Sequence, residues 1–328
     1  MTDIVQFDDS AISRAVEILR EGGLVAIPTE TVYGLAADAT NGQGVAGIFA
    51  AKGRPQFNPL IAHVADIEMA ERYVRFDPLS RKLAETFWPG PLTIVLPIIM
   101  PLNEAQAMPP IHPLVSAGLD TLAVRMPQGR VRDVIKILDH PLAAPSANRS
   151  GRISPTSAQA VMNDLGEKID LILDSGPCGV GVESTIIKVE GETIHLLRPG
   201  GLAAEDIEAL MGKKLKRAEH AAAIQAPGMM ASHYAPRAAM RLRATEVLPG
   251  EVLLAFGPIR AKNADQASTM LNLSVDGNLR EAASNLFDFM RRLDASGAAT
   301  IAVETIPSEG LGEAINDRLK RAAAPRDQ

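Results

Sequence analysis

The feature that most constrains the fold of this chain is the alternation of short apolar runs with segments of helical period. The apolar runs predict strands at residues 24–28, 60–64, 92–96, 122–125, 142–145, 171–174, 185–189 and 194–197. The helical segments predict a first helix that begins at Asp9 or Ser10 and ends at Gly22, and further helices at residues 44–51, 77–87, 130–138 and 156–165. Strands that alternate with helices bury a sheet between helical layers. The sequence therefore predicts a layered α/β domain.

A composition shift near Gly212 divides the chain. The basic run at 213–217 gives way to an Ala-rich stretch and to Pro and Gly at 226–229, a pattern typical of a linker. A second series of elements follows, with strands predicted at 251–256 and 300–305 and helices at 278–293 and 311–323. The length of 328 residues fits two domains at about 150 residues each. We predict a first domain over residues 1–212, a linker over 213–240 and a small, Rossmann-like α/β domain over 241–328.

Charge and cysteine content argue against several classes of protein. The net charge of −6 argues against a protein that coats nucleic acid through bulk electrostatics, although a local basic surface is compatible with it. The single Cys178 has no partner for an internal disulfide, and its spacing to the six histidines predicts no metal site. The first nine residues do not resemble a signal peptide, and the apolar run near residues 92–100 is too short for a bilayer. We expect a cytoplasmic protein with no membrane partner.

Three short motifs indicate a ligand pocket when they are taken together. They are Pro28-Thr29-Glu30-Thr31-Val32-Tyr33-Gly34, Lys52-Gly53-Arg54 and Ser146-Ala147-Asn148. Lys-Gly-Arg at the end of a predicted helix is also typical of a glycine C-cap with cations that complement the helix dipole. Ser-Ala-Asn is either an ordinary turn or a loop at the strand ends where open α/β sheets bind ligands. In this order on an α/β pattern, the motifs suggest a pocket for a nucleoside triphosphate and a small polar substrate.

Two polar residues interrupt apolar strands and have alternative explanations. Arg125 follows Leu122-Ala123-Val124, where a buried guanidinium requires an anionic partner. That partner is either an internal carboxylate or the carboxylate of a ligand, held by a bidentate fork. His63 lies in a similar apolar strand and is either a core histidine or a site residue.

Together, the motifs resemble those of the threonylcarbamoyl-AMP synthase (YrdC-like) family over nearly the whole chain. Glu183-Ser184-Thr185 and the linker sequence His233-Tyr234-Ala235-Pro236 also occur in family order. The resemblance implies a YrdC-like twisted mixed sheet flanked by helices, followed by the smaller C-terminal domain of the two-domain members. It implies that threonine is lined by Thr31, His63, Arg125, Ala144 and Ser184. It implies ATP contacts from Arg54, Asn58, Thr121, Ser146, Asn148, Ser154, Arg198 and Tyr234, and a catalytic contribution to the phosphates from Lys52 and Arg54.

The activity that the resemblance implies is the joining of L-threonine, bicarbonate or CO2, and ATP into threonylcarbamoyl-AMP and pyrophosphate. The implied cofactor is Mg²⁺, which enters with ATP. The resemblance also implies that the product passes to a tRNA threonylcarbamoyl-transferase, and direct contact with RNA is a further expectation. The linker around Tyr234 is expected to act as a lid, or else Tyr234 packs between the domains. Met230-Ala231-Ser232 stand where many members carry basic residues, which weakens the case for a cationic lid.

Two other functions are compatible with parts of the sequence. A double-stranded RNA-binding module would need a continuous basic face, to which Lys52, Arg54, Arg149 and Arg152 would contribute. A carbamoyl-adenylate enzyme of hydrogenase maturation uses a related domain. Proteins of that type carry additional zinc-binding cysteines, so the single Cys178 argues against it.

Overall fold

The structure is a computed structural model that describes residues 2–99, 110–217 and 233–325. The helices are α1 (Asp9–Arg20), α2 (Gly42–Lys52), α3 (Ile67–Glu71), α4 (Pro78–Phe87), α5 (Pro113–Ser116), α6 (Val131–Leu138), α7 (Ala158–Leu165), α8 (Ala204–Met211), α9 (Leu279–Ala295) and α10 (Leu311–Ala323). Linker residues 218–232, including the Ala226–Met229 and Met230–Ser232 segments, lie outside the described residues.

Two β-sheets organise the described chain. The strands are β1 (Asp3–Gln6), β2 (Val25–Ile27), β3 (Gly34–Asp38), β4 (Ile61–His63), β5 (Leu92–Pro97), β6 (Thr121–Arg125), β7 (Leu142–Ala143), β8 (Leu171–Asp174), β9 (Thr185–Glu190), β10 (Thr193–Arg198), β11 (Lys216–Arg217), β12 (Ala239–Leu242), β13 (Val252–Ala255), β14 (Met270–Asn272) and β15 (Thr300–Val303). The large mixed sheet has the order β1-β8-β2-β3-β7-β4-β6-β5-β9-β10-β11. The small sheet has the order β12-β15-β13-β14, and its strand pairs are all parallel.

The α/β prediction is confirmed, with a large mixed sheet and a second, parallel sheet with helices. The predicted strands and long helices are present with shifts of a few residues at their ends. Strand β3 was not predicted: it begins at Gly34, inside the first motif, and pairs antiparallel with β2. Strands β1, β12 and β14 and the helices α3, α5 and α8 were also missed. Several are only three to five residues long, too short to show a clear period.

The two sheets have separate hydrophobic cores. The first core packs the large sheet against helices such as α1 and α2. The second contains α9, α10 and the small sheet, and Val32, Ile153 and Val182 of the first domain pack into it. The large sheet ends at Arg217 and the small one begins at Ala239, so β11 and the first two residues of β12 fall within the span predicted as linker. The predicted domain limits remain predictions.

Helix caps position the loops that later form the site. Asn41 caps α2 by accepting hydrogen bonds from the N–H groups of Gln43 and Gly44. At its C-terminus, Gly53 adopts φ 60° and turns the chain toward Arg54, a left-handed conformation that favours glycine. The C-cap interpretation of the Lys-Gly-Arg motif is therefore confirmed, which leaves open what the two cations do. Among the described residues, each helix is too short or too polar to cross a lipid bilayer.

Candidate active site

A cavity lies where the motif loops meet the chain around His233 and Tyr234. Its walls come from the first motif, the ends of β4 and β6, the loop after β7, and the loops around β9 and β10. The lining residues are Thr29, Thr31, Val32, Gly34, Arg54, Ile61, His63, Arg125, Ala144, Pro145, Ser146, Glu183, Ser184, Arg198, His233 and Tyr234. The fold therefore brings together segments that are more than 150 residues apart in the sequence.

The predicted threonine residues all line this one cavity. They are Thr31, His63, Arg125, Ala144 and Ser184. Parallel pairing of β4 with β6 sets His63 directly beside Arg125. Antiparallel pairing of β4 with β7 sets the following loop, which carries Ala144, next to them. The sheet register thus gathers side chains that the sequence analysis could only list.

Arg125 is buried and is held by three groups of the protein. Its Nη1 donates to Thr31 Oγ1 at 2.9 Å and its Nε donates to the Gly90 carbonyl at 3.2 Å. Its Nη2 lies 2.6 Å from Glu30 Oε1, and both side chains are at most 10% exposed. Of the two explanations for a buried Arg125, an internal carboxylate is therefore present. The guanidinium carries five N–H donors, so these contacts leave donors for a ligand carboxylate.

His63 is a neutral acceptor or donor rather than a cation. Burial, as the main cause, and the charge of Arg125 together lower its pKa to about 3. No group of the described chain forms a hydrogen bond to its Nδ1. A neutral imidazole with an unpaired ring nitrogen beside a buried arginine suits the polar groups of an amino acid.

Arg54 and Arg198 bring two further cations to the cavity. Arg54 donates to the carbonyls of Asn58 and Pro59 at 3.1 and 2.7 Å, and Arg198 donates twice to the Ser184 carbonyl. Burial and the charge of Arg198 together lower the pKa of Arg54 to about 10, so Arg54 remains charged near pH 7. Burial also lowers the pKa of Arg198. Two fixed cations in a buried cavity favour an anionic ligand such as a polyphosphate.

Lys52 does not line the cavity. Its ammonium donates to the carbonyls of Ser146 and Asn148, which ties the end of α2 to the Ser-Ala-Asn loop. Burial lowers its pKa well below the usual value for lysine, and nearby Arg54 lowers it further. The side chain supports the loop that carries Ser146 into the cavity. Its predicted contribution to phosphate chemistry remains a prediction.

Four of the predicted ATP residues do not line the cavity. Asn148 donates to the carbonyls of Arg149 and Arg152, which shapes its own loop. Ser154 donates to Glu183 Oε1 at 2.5 Å, and through Glu183 it contacts the cavity wall. Asn58 and Thr121 are also outside the lining, whereas Arg54, Ser146, Arg198 and Tyr234 are part of it.

The end of the linker covers the cavity. His233 and Tyr234 both line it and are 7% and 1% exposed. Tyr234 adopts φ 62° and stacks on Phe287 of α9 with a centroid separation of 5.5 Å. Tyr234 therefore lines the cavity and also packs against the second domain, and its action as a lid remains a prediction.

Several lining residues were not assigned a role from the sequence. Glu183 was noted only as a member of the Glu-Ser-Thr motif and His233 only as part of the linker sequence. Thr29 accepts or donates a hydrogen bond with Thr31 Oγ1 at 2.8 Å and so orients the hydroxyl that meets Arg125. The sequence signal for Glu183 was its position after Gly179 and Gly181, in a Gly-containing turn before a predicted strand.

Family models match both parts of the chain. The model that bears the names Sua5, YciO and YrdC, described as "Telomere recombination", matches residues 17–200. A model described as "Threonylcarbamoyl-AMP synthase, C-terminal domain" matches residues 202–324. The chain is 38% identical to the threonylcarbamoyl-AMP synthase of Pyrococcus abyssi, over 98% of this chain and 96% of the relative. It is 38% identical to the one of Bacillus subtilis, over 99% of this chain and 96% of the relative.

Solved structures agree with these matches. A crystal structure described as P. abyssi Sua5 complexed with L-threonine superposes with a TM-score of 0.83 at 36% sequence identity, over 98% of this chain and 97% of that chain. A double-alanine variant of the same protein gives a TM-score of 0.86 at 35% identity, over 98% and 96% of the two chains. With matching domain models in the same order, relatives of nearly equal length and a shared full-length fold, the chain belongs to the threonylcarbamoyl-AMP synthase family.

Proposed function

We propose that this protein joins L-threonine, bicarbonate or CO2, and ATP into threonylcarbamoyl-AMP and pyrophosphate. One observation carries the proposal: an arginine and a neutral histidine that suit an amino acid share one cavity with two arginines that suit phosphates. Arg125 and His63 form the first pair, and Arg54 and Arg198 form the second. Full-length relatives named for this activity, and a similar structure described with L-threonine, support it.

The threonine end of the cavity suits the first step of such a reaction. The free N–H donors of Arg125 would hold the threonine carboxylate. In this buried environment the amine loses its proton more easily, because low dielectric disfavours a charged ammonium. The nitrogen lone pair then attacks the carbon of CO2, the nitrogen gives up a proton, and a carbamate forms.

The phosphate end of the cavity suits the second step. A carbamate oxygen attacks the α-phosphorus of ATP, and the bond from that phosphorus to the bridging oxygen breaks to release pyrophosphate. Negative charge builds on phosphate oxygens during this displacement, where Arg54 and Arg198 would stabilise it as preorganised cations. The enzyme would therefore be a nucleotidyltransferase, and Lys52 would act by holding the loop of Ser146 in place.

Mg²⁺ is expected to enter as part of MgATP. In the described ranges there is no cluster of three or more His, Cys, Asp or Glu side chains that would hold a metal. Glu183, a carboxylate that lines the cavity, already accepts hydrogen bonds from Ser154 and Arg318. The triphosphate oxygens are then the main ligands available, which suits the preference of Mg²⁺ for phosphate and water.

The product would serve tRNA modification. Both the carbamate and the mixed anhydride hydrolyse readily, so the buried His233 and Tyr234 would protect them from water. The anhydride would then pass to a tRNA threonylcarbamoyl-transferase. We also propose a cytoplasmic location, where ATP and tRNA substrates are found together.

The double-stranded RNA-binding alternative loses support in the structure. Lys52 and Arg54, two of the four cations proposed for its basic face, are 4% and 8% exposed. Only Arg149 and Arg152 remain on the surface. Buried cations that donate to backbone carbonyls cannot form a continuous face for RNA.

Pyrophosphate release tests the proposal. We expect release to require threonine, bicarbonate and ATP together, and the product to be threonylcarbamoyl-AMP by mass spectrometry. Release without threonine but with carbamoyl phosphate would favour the carbamoyl-adenylate alternative. No release under any combination, with RNA binding retained, would contradict the enzymatic function.

A further inference from the structure

Arg318 of the C-terminal domain is completely buried at the junction with the first domain. It lies on α10 and has 0% side-chain exposure. Its Nε donates to Glu183 Oε2 at 2.8 Å, and its Nη1 donates to Asp317 Oδ2 at 2.6 Å. Its guanidinium carbon lies 5.2 Å from the centroid of the Tyr234 ring. One side chain therefore joins the second domain to the cavity wall and to the residue that covers the cavity.

Glu183 is the residue through which Arg318 reaches the cavity. One carboxylate oxygen accepts from Arg318, and the other accepts from Ser154 Oγ at 2.5 Å. Burial alone would raise the pKa of Glu183, but the charges of Arg318 and Arg198 lower it to about 2. The carboxylate is thus negatively charged at neutral pH and lines the cavity.

A negative charge in this wall is unfavourable for a triphosphate unless a cation compensates for it. The nearby cations Arg54 and Arg198 line the same cavity and are the groups available to the phosphates. A buried ion pair whose cation is removed leaves a strongly destabilising uncompensated charge. Without Arg318, the Glu183 carboxylate would attract the Arg198 guanidinium. The same carboxylate would repel the phosphates of the nucleotide.

We propose that Arg318 is a positioning residue for ATP: it neutralises and orients Glu183 and supports the ring of Tyr234 over the cavity. The proposal rests on the proposed function, because it assigns the anionic ligand of this cavity to ATP. It predicts that a residue outside the first domain controls nucleotide affinity without contacting threonine. Arg318 would act through Glu183 and Tyr234, not by touching the reacting atoms.

Arg318→Met separates this role from a general structural one. We expect the Kd for ATP, measured by calorimetry on the full chain, to rise about ten- to hundredfold, the range for loss of a hydrogen bond to a charged group. The KM for ATP should rise with it, and the Kd for threonine alone should stay within about twofold because Arg125 and His63 are untouched. Arg318→Lys keeps the charge but loses the planar fork and should give an intermediate value.

Adding Glu183→Gln to Arg318→Met is the decisive comparison. If the unpaired carboxylate repels the phosphates, the double variant should bind ATP more tightly than Arg318→Met alone. Arg217→Met is the matched control, because Arg217 forms a more exposed interdomain ion pair with Glu313, at 2.7 Å, and does not line the cavity. It should leave both dissociation constants near the wild-type values.

Three outcomes would overturn the proposal. They are unchanged ATP affinity in Arg318→Met, equal weakening of ATP and threonine, and no recovery in the double variant. If Arg318→Met does not fold, Arg318→Lys and Glu183→Gln carry the same comparison, and unchanged ATP affinity in Arg318→Lys would count against it. The proposed function would instead be contradicted if the wild-type protein binds ATP but releases no pyrophosphate with threonine and bicarbonate. In that case, the comparison of ATP affinities would still decide the role of Arg318.

Discussion

At the scale of single residues, the site depends on buried arginines whose orientation is fixed by hydrogen bonds to the protein. Arg125, Arg54 and Arg198 are all less than 9% exposed, and each donates to oxygen atoms of the protein in addition to facing the cavity. These contacts fix the guanidinium planes before a ligand arrives. The organisation of the cavity therefore precedes binding and reduces the entropy that binding must remove.

Arg125→Ala should chiefly impair threonine binding. We expect threonine to bind about ten- to hundredfold more weakly, since hydrogen bonds to charged groups contribute about 1.5–3 kcal/mol. Removing Arg125 also leaves Glu30 without its cation, so Arg125→Ala with Glu30→Gln is the matched control that isolates the ligand contact. ATP affinity should change much less. Normal threonine binding by calorimetry in either variant would mean that the carboxylate lies elsewhere.

Stability should depend on pH through His63 and His233. Burial is the main cause that lowers both pKa values to about 3, from 6.5 in the unfolded chain. Between these values the unfolded chain binds protons that the folded protein excludes, so the free energy of unfolding falls as pH falls below 6.5. The limiting slope is about 1.4 kcal/mol per pH unit for each histidine.

Urea unfolding between pH 7 and pH 5 measures this slope. His63→Asn and His233→Asn should each flatten it. Equal slopes in the wild-type protein and both variants would show that neither buried imidazole controls the acid sensitivity.

At the scale of secondary-structure elements, short strand ends and glycine turns place the functional side chains. Strands β9 and β10 pair antiparallel, with a register shift between Leu196 and Arg198. The loop after β10 then returns to the start of β9, where Gly201 N–H donates to the Glu183 carbonyl at 2.9 Å. This brings Arg198 and Ser184 together in the cavity wall.

Gly200→Ala should disturb this arrangement. A Cβ at Gly200 would lie 2.3 Å from the Ser184 carbonyl carbon and 2.4 Å from the Glu183 oxygen, closer than real contacts allow. We expect a loss of about 1–3 kcal/mol in unfolding free energy, as for overpacked cores, together with weaker binding of both substrates. Gly179→Ala, with no atom within 4 Å of its Cβ, is the control. Wild-type stability in Gly200→Ala would show that the loop moves aside freely.

Lys52→Met should act mainly through the loop that follows β7. It leaves the carbonyls of Ser146 and Asn148 without their shared donor, and a lost hydrogen bond of a charged group costs about 1.5–3 kcal/mol. We expect a lower melting temperature and a secondary loss of ATP turnover. Arg54→Met should show a larger rise in the KM for ATP relative to its change in melting temperature. The reverse order would identify Lys52 as the phosphate cation.

At the scale of the whole molecule, the two domains share one packed junction. Gly181 of the first domain approaches α9 so closely that a Cβ there would lie 2.3 Å from the Ala283 oxygen and 2.4 Å from Ser284 Cα. Ala235 N–H also donates to the Gly151 carbonyl at 2.8 Å, which anchors the chain directly after His233 and Tyr234. The position of Tyr234 therefore depends on how closely the domains approach each other.

Gly181→Ala should loosen the lid without touching the cavity. We expect more ATP to be hydrolysed per threonylcarbamoyl-AMP formed, because a less tightly covered intermediate meets water. Gly176→Ala is the matched control: it has a similar left-handed φ of 84°, against 79° at Gly181, but no atom within 4 Å of its Cβ. An unchanged ratio of product to ATP consumed in Gly181→Ala would remove the lid from the mechanism.

The sequence by itself determined the features that depend on local patterns. Apolar runs and helix caps predicted the α/β alternation, because both are read within a few residues. Family-ordered motifs selected five residues for threonine binding, and all five line one cavity. His63 and Arg125 are among them, although their own strands left both ambiguous, and the binding role remains a prediction. Strand β3 was missed since Gly34 to Asp38 is buried on both faces and shows no alternation.

Only the tertiary structure decided which charges meet. Lys52 turns to the carbonyls of a loop about 95 residues away in sequence, and Arg318 pairs with Glu183 across 135 residues. Such pairs leave no periodic signal, because their geometry depends on how two domains pack and not on the spacing along the chain. The contribution of the C-terminal domain to the cavity therefore depends on the packing of the two domains and could not be predicted from the sequence.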